Sequence, residues 1–280
     1  MNVQVRSHVT NAARSLPFER VVLVLQGGGA LGAYQAGVYE ALVEAGIHPD
    51  WIAGTSIGAI NAAIIAGNPS NLRVERLREF WTQVTSDGLW PWYKDSALRR
   101  SEGVRKFLSH ASANLALVSG STGFFSARPV MPWLQPAGTI EATSLYDTRD
   151  LKRTLQRLVD FDRLNAADTR LSVGAVNVRT GNMVYFDTST HTIRPEHVMA
   201  SGALPPGFPA IEIEGEHYWD GGLVSNTPLQ WVADSGPRRD TLIFQVDLWS
   251  ARGELPRNLL EVMTREKEIR YSSRTRVNTD

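Results

Sequence analysis

From residue 20 onward the chain repeats two apolar patterns in turn. Val21 to Leu25 is an unbroken, β-branched-rich apolar run that ends in Gly27-Gly28-Gly29, and such a run predicts a strand buried on both faces. Leu31, Tyr34, Ala36, Val38, Leu42 and Val43 then recur at helical spacing, with polar residues mainly at Gln35, Glu40 and Glu44. That spacing predicts a largely buried helix from Ala30 to Ala45, closed by Gly46. Trp51 to Ala53 is a second short strand, which passes through Gly54-Thr55-Ser56-Ile57-Gly58 into the Ala-rich helix Ala59 to Ala66. Further on, the pattern predicts helices over 71–85, 147–159 and 258–271. It also predicts strands over 171–178 and 183–186, paired as a hairpin across Thr180-Gly181-Asn182. A second strand pair, 210–213 with 217–219, is joined by Glu214-Gly215-Glu216, and a last strand covers 241–248. The strand-turn-helix order occurs twice before residue 67. Parallel strands need crossover helices and burial on both sides, so the expected fold is a three-layer α/β/α domain with a mainly parallel central sheet.

Breaks in this pattern set the expected organisation. Residues 1–19 are polar and aperiodic, 20–250 carry the alternation, and 251–280 form a charged helical segment. The stretch 87–136 interrupts it with Trp90, Trp92, Tyr93, Phe107, Phe124, Phe125 and Trp133 among Gly, Pro and Ser residues. It reads as an excursion from the sheet, a candidate lid. Its aromatics either pack the insert or form an apolar rim for an apolar ligand or a membrane surface.

Composition removes several function classes. Lysine and arginine number 29 and so do aspartate and glutamate, so the balance argues against a nucleic-acid partner, and any affinity for lipid must be local and apolar. The absence of cysteine excludes disulfides, thiolate metal sites and a cysteine nucleophile. No His-x-x-x-His or clustered ligand spacing calls for a metal, and no cofactor is expected. The N-terminus lacks the apolar core of a secretory signal, and no run reaches the ~20 apolar residues of a membrane span. The expectation is a cytoplasmic protein, in contact with a membrane at most peripherally.

Three short segments carry chemistry. Gly54-Thr55-Ser56-Ile57-Gly58 is a Gly-x-Ser-x-Gly where a strand runs into a helix, the setting of a nucleophile elbow. There the glycines permit a tight turn, and the helix N-terminus favours a developing alkoxide on Ser56. The same residues also suit an ordinary turn with a serine N-cap. Gln26-Gly27-Gly28-Gly29-Ala30-Leu31-Gly32 formally matches the dinucleotide fingerprint Gly-x-Gly-x-x-Gly. That reading expects an acid at the end of the second strand, where Gly54-Thr55-Ser56 stands instead. A P-loop would need a Gly-Lys-Ser/Thr that is absent. Beside a serine nucleophile, a glycine loop serves as an oxyanion hole, with each backbone donor worth ~2.7–4 kcal/mol of barrier. Trp219-Asp220-Gly221-Gly222 places an acid at a strand end in a glycine turn, a pattern that is by itself a common turn signal.

Taken in order, Gly27-Gly28-Gly29-Ala30-Leu31-Gly32, Gly54-Thr55-Ser56-Ile57-Gly58 and Asp220-Gly221-Gly222 resemble the three signature blocks of the patatin-like phospholipase family. The likeness runs over about residues 20–250 and includes Ala200-Ser201-Gly202-Ala203-Leu204-Pro205 and Asn226-Thr227-Pro228. It implies a Ser56–Asp220 dyad without histidine or metal, an oxyanion held by the loop Gly27 to Gly32, and lipid acyl esters as substrates. Many relatives carry Arg or Lys where Leu31 stands, which implies a preference here for less anionic esters. A carboxylate of ordinary pKa, ~3.9, matches a serine hydroxyl poorly, so the dyad requires desolvation of Asp220 or strong stabilisation of the alkoxide and oxyanion. His217 and His197 leave a triad open, although His217 and Asp220 fall on opposite faces of one strand. Acyl transfer on the same residues and a non-catalytic lipid-binding module are the other readings. Arg265 to Tyr271 reads as a solvated helix face held by charge pairs. The following Ser272-Ser273-Arg274-Thr275-Arg276 resembles a stretch that, in a bacterial subset of the family, leads into a further C-terminal domain, so more chain is expected beyond it.

Overall fold

The computed structural model describes residues 16–86, 120–166 and 168–279, with side chains as far as Ser272. Trp90, Trp92, Tyr93, Phe107 and most of the polar N-terminal segment lie outside the described residues. Strands β1 (Arg20–Leu25), β2 (Trp51–Thr55), β5 (Arg170–Asn177) and β9 (Thr241–Val246) form the parallel heart of a seven-stranded sheet. Its order is β7-β8-β5-β2-β1-β9, with β7 (Ile211–Ile213) and β8 (Glu216–Asp220) antiparallel to each other and β6 (Met183–Asp187) pairing with β5 as a hairpin. The two-residue strands β3 (Ser126–Ala127) and β4 (Tyr146–Asp147) pair apart from this sheet.

Alternation along each central strand divides the core into two layers, because successive side chains point to opposite faces. Leu23, Leu25, Ile52, Leu171 and Val173 face helices α1 (Ala33–Glu44), α2 (Ile57–Ala66), α3 (Arg73–Val84), α4 (Arg149–Leu158) and α6 (Pro195–Ser201). Val22, Val24, Trp51 and Ala53 face the other way, against Trp231 and Val232 of the short helix α7 (Leu229–Asp234). The protein is thus a three-layer α/β/α structure. Among the described residues, no helix is long and apolar enough to cross a membrane.

Several local expectations are corrected. The first helix does not begin at Ala30: Gly29–Gly32 forms a tighter 3-10 turn and the α-helix starts at Ala33. Nor is it buried all round, since Tyr34 is 65% exposed while Gln35 is buried. Buried hydrogen bonds hold the Gln35 amide inside, which periodicity alone does not reveal. The helix does end as expected. Gly46 takes φ 72° and its N–H donates to the Val43 carbonyl at 2.9 Å, while Ile47 N–H donates to Leu42 at 2.8 Å, a Schellman closure. The C-terminal helix, α8 (Leu259–Thr279), is longer than its charge pattern suggests. It carries the Arg265–Glu268 pair at 2.9 Å and also leaves Leu259, Leu260, Val262, Met263 and Ile269 exposed. Of the aromatics in the interrupted stretch, Phe124 and Phe125 pack with Phe80, Tyr146 and Phe208, whereas Trp133 is 73% exposed. The helix over Phe161–Asn165, α5, and helices α6 and α7 are further elements that the apolar pattern does not reveal.

Candidate active site

The turn after β2 forces Ser56 into φ 57° and ψ −126°, a conformation that side-chain-bearing residues rarely adopt. Strand and helix meet too closely here for anything but glycine on either side. A Cβ on Gly58 would lie 2.3 Å from the Leu25 carbonyl oxygen, and one on Gly54 would lie 2.4 Å from the Gly58 carbonyl oxygen. Thr55 is the last strand residue, and helix α2 begins at once with Ile57. Amides of Ala59 and Ile60 donate to the Ser56 carbonyl at 3.0 and 3.3 Å, so the serine is also the first acceptor of the helix.

Register brings the acid to it. Thr55 pairs with Gly174 of β5, and Asp220 pairs with the next residue, Ala175. Because β6 pairs with β5 over Ser172 to Val176, β2 and β8 must share the opposite edge, end to end. Ser56 and Asp220 meet at that junction. The Ser56 Oγ hydroxyl donates to Asp220 Oδ2 at 2.6 Å, and Gly222 N–H donates to Oδ1 at 2.7 Å. Asp220 is only 1% exposed. Burial pushes its carboxyl up from the usual carboxylate range to about 7, although the hydrogen bonds from Ser56 and Gly222 favour the charged form.

The glycine loop lies beside the pair and divides its own amides. Gly27 N–H donates to the Asn226 carbonyl at 3.1 Å, and Leu31 N–H donates to Gly28 at 3.2 Å. The amides of Gly28, Gly29 and Ala30 have no acceptor among the described residues, and Gly29 sits at φ 56°. Gly32 is buried, and its carbonyl accepts from Asn61 Nδ2 at 3.0 Å. Gly221 follows Asp220 into a short 3-10 turn with Gly222 and Leu223.

A set of buried side chains holds this loop in place, and of these Gln35, Asn61, Trp81 and Trp249 lie outside the motifs. Gln26 Oε1 accepts from Leu248 and Trp249 N–H at 2.6 and 3.0 Å, while its Nε2 donates to Thr227 Oγ1 at 2.8 Å. Gln35 Nε2 donates to the Gln26 carbonyl at 2.7 Å, Asn61 Nδ2 to Gln35 Oε1 at 2.9 Å, and Trp81 Nε1 to Asn61 Oδ1 at 3.1 Å. Asn226 Nδ2 and Trp249 Nε1 both donate to the Gly27 carbonyl, at 3.0 and 2.8 Å. A lone Asn61 in an Ala- and Ile-rich helix is a legible signal, since a buried amide needs partners. Helix α8 also reaches the site. The Tyr271 carbonyl accepts from Gln26 Nε2 and Asn226 Nδ2 at 3.4 Å each, and burial together with the nearby Asp220 carboxylate raises its phenol pKa.

Among the described residues, neither candidate histidine is hydrogen-bonded to Ser56 or Asp220. His197 is buried in α6, where its Nδ1 accepts from Arg194 N–H at 2.9 Å. Burial and the neighbouring Arg194 lower its pKa to about 4 and keep the ring neutral. His217 is exposed on β8. Leu31 and Leu223, 45% and 42% exposed, follow the Ala30 amide and Asp220 within three residues, and Leu204, 36% exposed, follows Ala203, whose carbonyl accepts the Asp220 N–H at 3.0 Å.

Comparison with known proteins identifies the family. A patatin-like phospholipase domain-containing protein of Caenorhabditis elegans, ZK370.4, is 35% identical over 123 residues, covering 44% of this chain and 8% of that protein. Human patatin-like phospholipase domain-containing protein 6 is 42% identical over 81 residues, 29% of this chain and 6% of that protein. The lysophospholipase nte1 of Aspergillus terreus is 59% identical over 54 residues, 19% of this chain and 4% of that protein. The chain therefore spans less than a tenth of the length of these relatives. The crystal structure of VipD from Legionella pneumophila aligns with a TM-score of 0.45 at 19% identity, covering 81% of this chain and 50% of that one. The patatin-like phospholipase family model matches residues 23–232. Since that span takes in the glycine loop, the serine turn and the strand ending at Asp220, the chain belongs to the patatin-like phospholipase family.

Proposed function

We propose that this protein hydrolyses carboxylic esters of lipids through an acyl-Ser56 intermediate, with Asp220 as the only base. The observation that carries the reading is the 2.6 Å hydrogen bond from Ser56 Oγ to a buried carboxylate whose pKa stands at about 7. A base with a pKa near the working pH combines a populated ionised form with real proton affinity. Asp220 takes the Ser56 proton as Oγ attacks the ester carbonyl carbon, and the carbonyl oxygen becomes an oxyanion facing the free amides of Gly28, Gly29 and Ala30. Collapse breaks the ester C–O bond, and the leaving alkoxide takes the proton from Asp220. Water then attacks the acyl-enzyme carbonyl and gives its proton to Asp220; collapse breaks the bond from the acyl carbon to Ser56 Oγ, Oγ takes the proton back from Asp220, and the fatty acid leaves. Gly27 and Leu31 hold the loop's shape, because their own amides are already engaged.

Exposed Leu31, Leu204 and Leu223, adjoining segments that carry the glycine-loop amides and Asp220, support an apolar substrate and a peripheral lipid contact rather than a polar soluble ester. An aliphatic side chain at position 31 brings no charge toward a phosphate, which favours esters of low negative charge. The test is labelling with a fluorophosphonate, followed by incubation with a mixed lipid extract and identification of the fatty acids released. Labelling and release should both vanish in Ser56→Ala. Labelling that persists in Ser56→Ala, or full turnover in a folded Asp220→Asn, would overturn the dyad.

A further inference from the structure

Ser201 is fully buried, ends helix α6, and takes no part in the proton transfers above. Its hydroxyl nevertheless makes two short contacts. It donates to the Gly174 carbonyl at 2.6 Å and accepts the backbone N–H of Ser56 at 2.9 Å. A hydroxyl has one proton, so the bond to Gly174 leaves only a lone pair facing the nucleophile's amide. Gly174 is the β5 residue opposite Thr55, and its neighbour Ala175 is opposite Asp220. Two residues past Ser201, the Ala203 carbonyl accepts the backbone N–H of Asp220 at 3.0 Å. The turn 201–203 therefore grips the backbones of both proposed catalytic residues at the point where β2 and β8 abut.

We infer that Ser201 is a positioning residue for the acyl-transfer reaction proposed above, on which this inference rests. Its hydroxyl holds Ser56 in the positive-φ elbow and fixes Oγ against Asp220. The Ser56 N–H is thereby withdrawn from the oxyanion site, and the glycine loop supplies the donors. Without this anchor the elbow loses a buried partner in a conformation that relaxes toward ordinary φ, and Oγ drifts from its line of attack. Near-attack geometry is sensitive on this scale, a displacement of ~1 Å costing about 100-fold in rate. Substrate binding, made elsewhere along the acyl chain, is untouched.

The experiment compares wild type, Ser201→Ala, Ser201→Cys and Val198→Ala on a short-chain p-nitrophenyl ester, with melting temperature, fluorophosphonate labelling rate and pH profile measured alongside. Val198 is equally buried in the same helix and controls for loss of packing. Ser201→Ala is expected to lower kcat and the labelling rate together by about 10–100-fold, with KM within threefold and the acid limb of the pH profile moved upward, because Asp220 loses the Ser56 hydrogen bond that favours its charged form. Ser201→Cys, similar in size but a weak hydrogen-bonding group, should fall between, and it carries the test alone if Ser201→Ala does not fold. Val198→Ala should lose stability and keep kcat. A folded Ser201 variant with wild-type kcat, or an equal fall in kcat for Val198→Ala, overturns the positioning role while leaving the hydrolase reading intact. Wild-type protein that neither labels nor turns over ester overturns the hydrolase reading itself, and this inference with it.

Discussion

Ionising a carboxylate as deeply buried as Asp220 costs the folded state free energy that the unfolded chain does not spend. Its pKa of about 7 in the folded protein exceeds the ordinary 3.8, so the native state keeps a proton that the unfolded chain has released. The stability this group contributes is complete below the unfolded value and is lost as pH rises through about 7. Asp220→Asn removes that loss and retains an acceptor for the Ser56 hydroxyl. The variant is expected to gain melting temperature over wild type progressively from pH 4 to pH 8. Its ester turnover should fall by at least ~100-fold, the lower end of a general base's contribution. A constant offset in melting temperature across that range would show that burial does not govern the group. In wild type, kcat/KM should decline on the acid side as a single ionisation near pH 7. His217→Ala, on an exposed residue of β8, should keep most activity in the same assay.

At the scale of elements, α2 is the part on which the site depends. All ten of its residues are buried, and most of its stability comes from that packing rather than from helix propensity. Its two kinds of side chain should therefore separate in mutagenesis. Ile60→Ala leaves a cavity in the core and is expected to cost about 2–5 kcal/mol in urea unfolding, with the labelling rate of the folded fraction unchanged. Asn61→Ala instead strips partners from the Gly32 carbonyl, Gln35 Oε1 and Trp81 Nε1. It is expected to cost about 1–3 kcal/mol and also to slow labelling, because Gln35 in turn supports the Gln26 carbonyl at the root of the glycine loop. Equal labelling in the two variants would detach this amide chain from the site.

Across the whole molecule, a second buried aspartate has the opposite pH signature. Asp187, the last residue of β6 and paired with Ser172 of β5, is 1% exposed. Burial opposes its ionisation, but Arg170 Nε at 3.0 Å from both oxygens, together with the hydroxyls of Ser172 and Ser189, outweighs it and holds the carboxyl below the usual range. A depressed pKa gives stability that is present above the unfolded value and lost as pH falls through the folded one. Asp187→Asn is therefore expected to be destabilised relative to wild type at neutral pH, with the gap narrowing in acid, whereas the gain of Asp220→Asn narrows in acid from the other side. Thermal melts of both variants across pH 3–8 check the two signs together. Ser172 ties this network to the second core layer by accepting from Trp51 Nε1 at 2.8 Å and Trp231 Nε1 at 3.1 Å.

The elements that followed from the sequence are those with a strong local cause. Unbroken apolar runs made β1 and β2, because only strands buried on both faces tolerate them. Gly46 ended α1 because it accepts φ 72°, and the glycines about Ser56 marked the elbow because backbone contacts of 2.3–2.4 Å admit no side chain. Tyr34 and Gln35 exchanged their expected places because hydrogen bonds to Gln26 and Asn61, distant in sequence, decide which face of the helix is buried. The same holds for Ser201, Asn226 and Tyr271, polar residues whose partners lie across the fold. What only the tertiary structure decided is the meeting of residues 56 and 220. It depends on β2 and β8 sharing one edge of β5 with their ends at adjacent positions, and strand register is set by the packing of the whole sheet rather than by any segment of it.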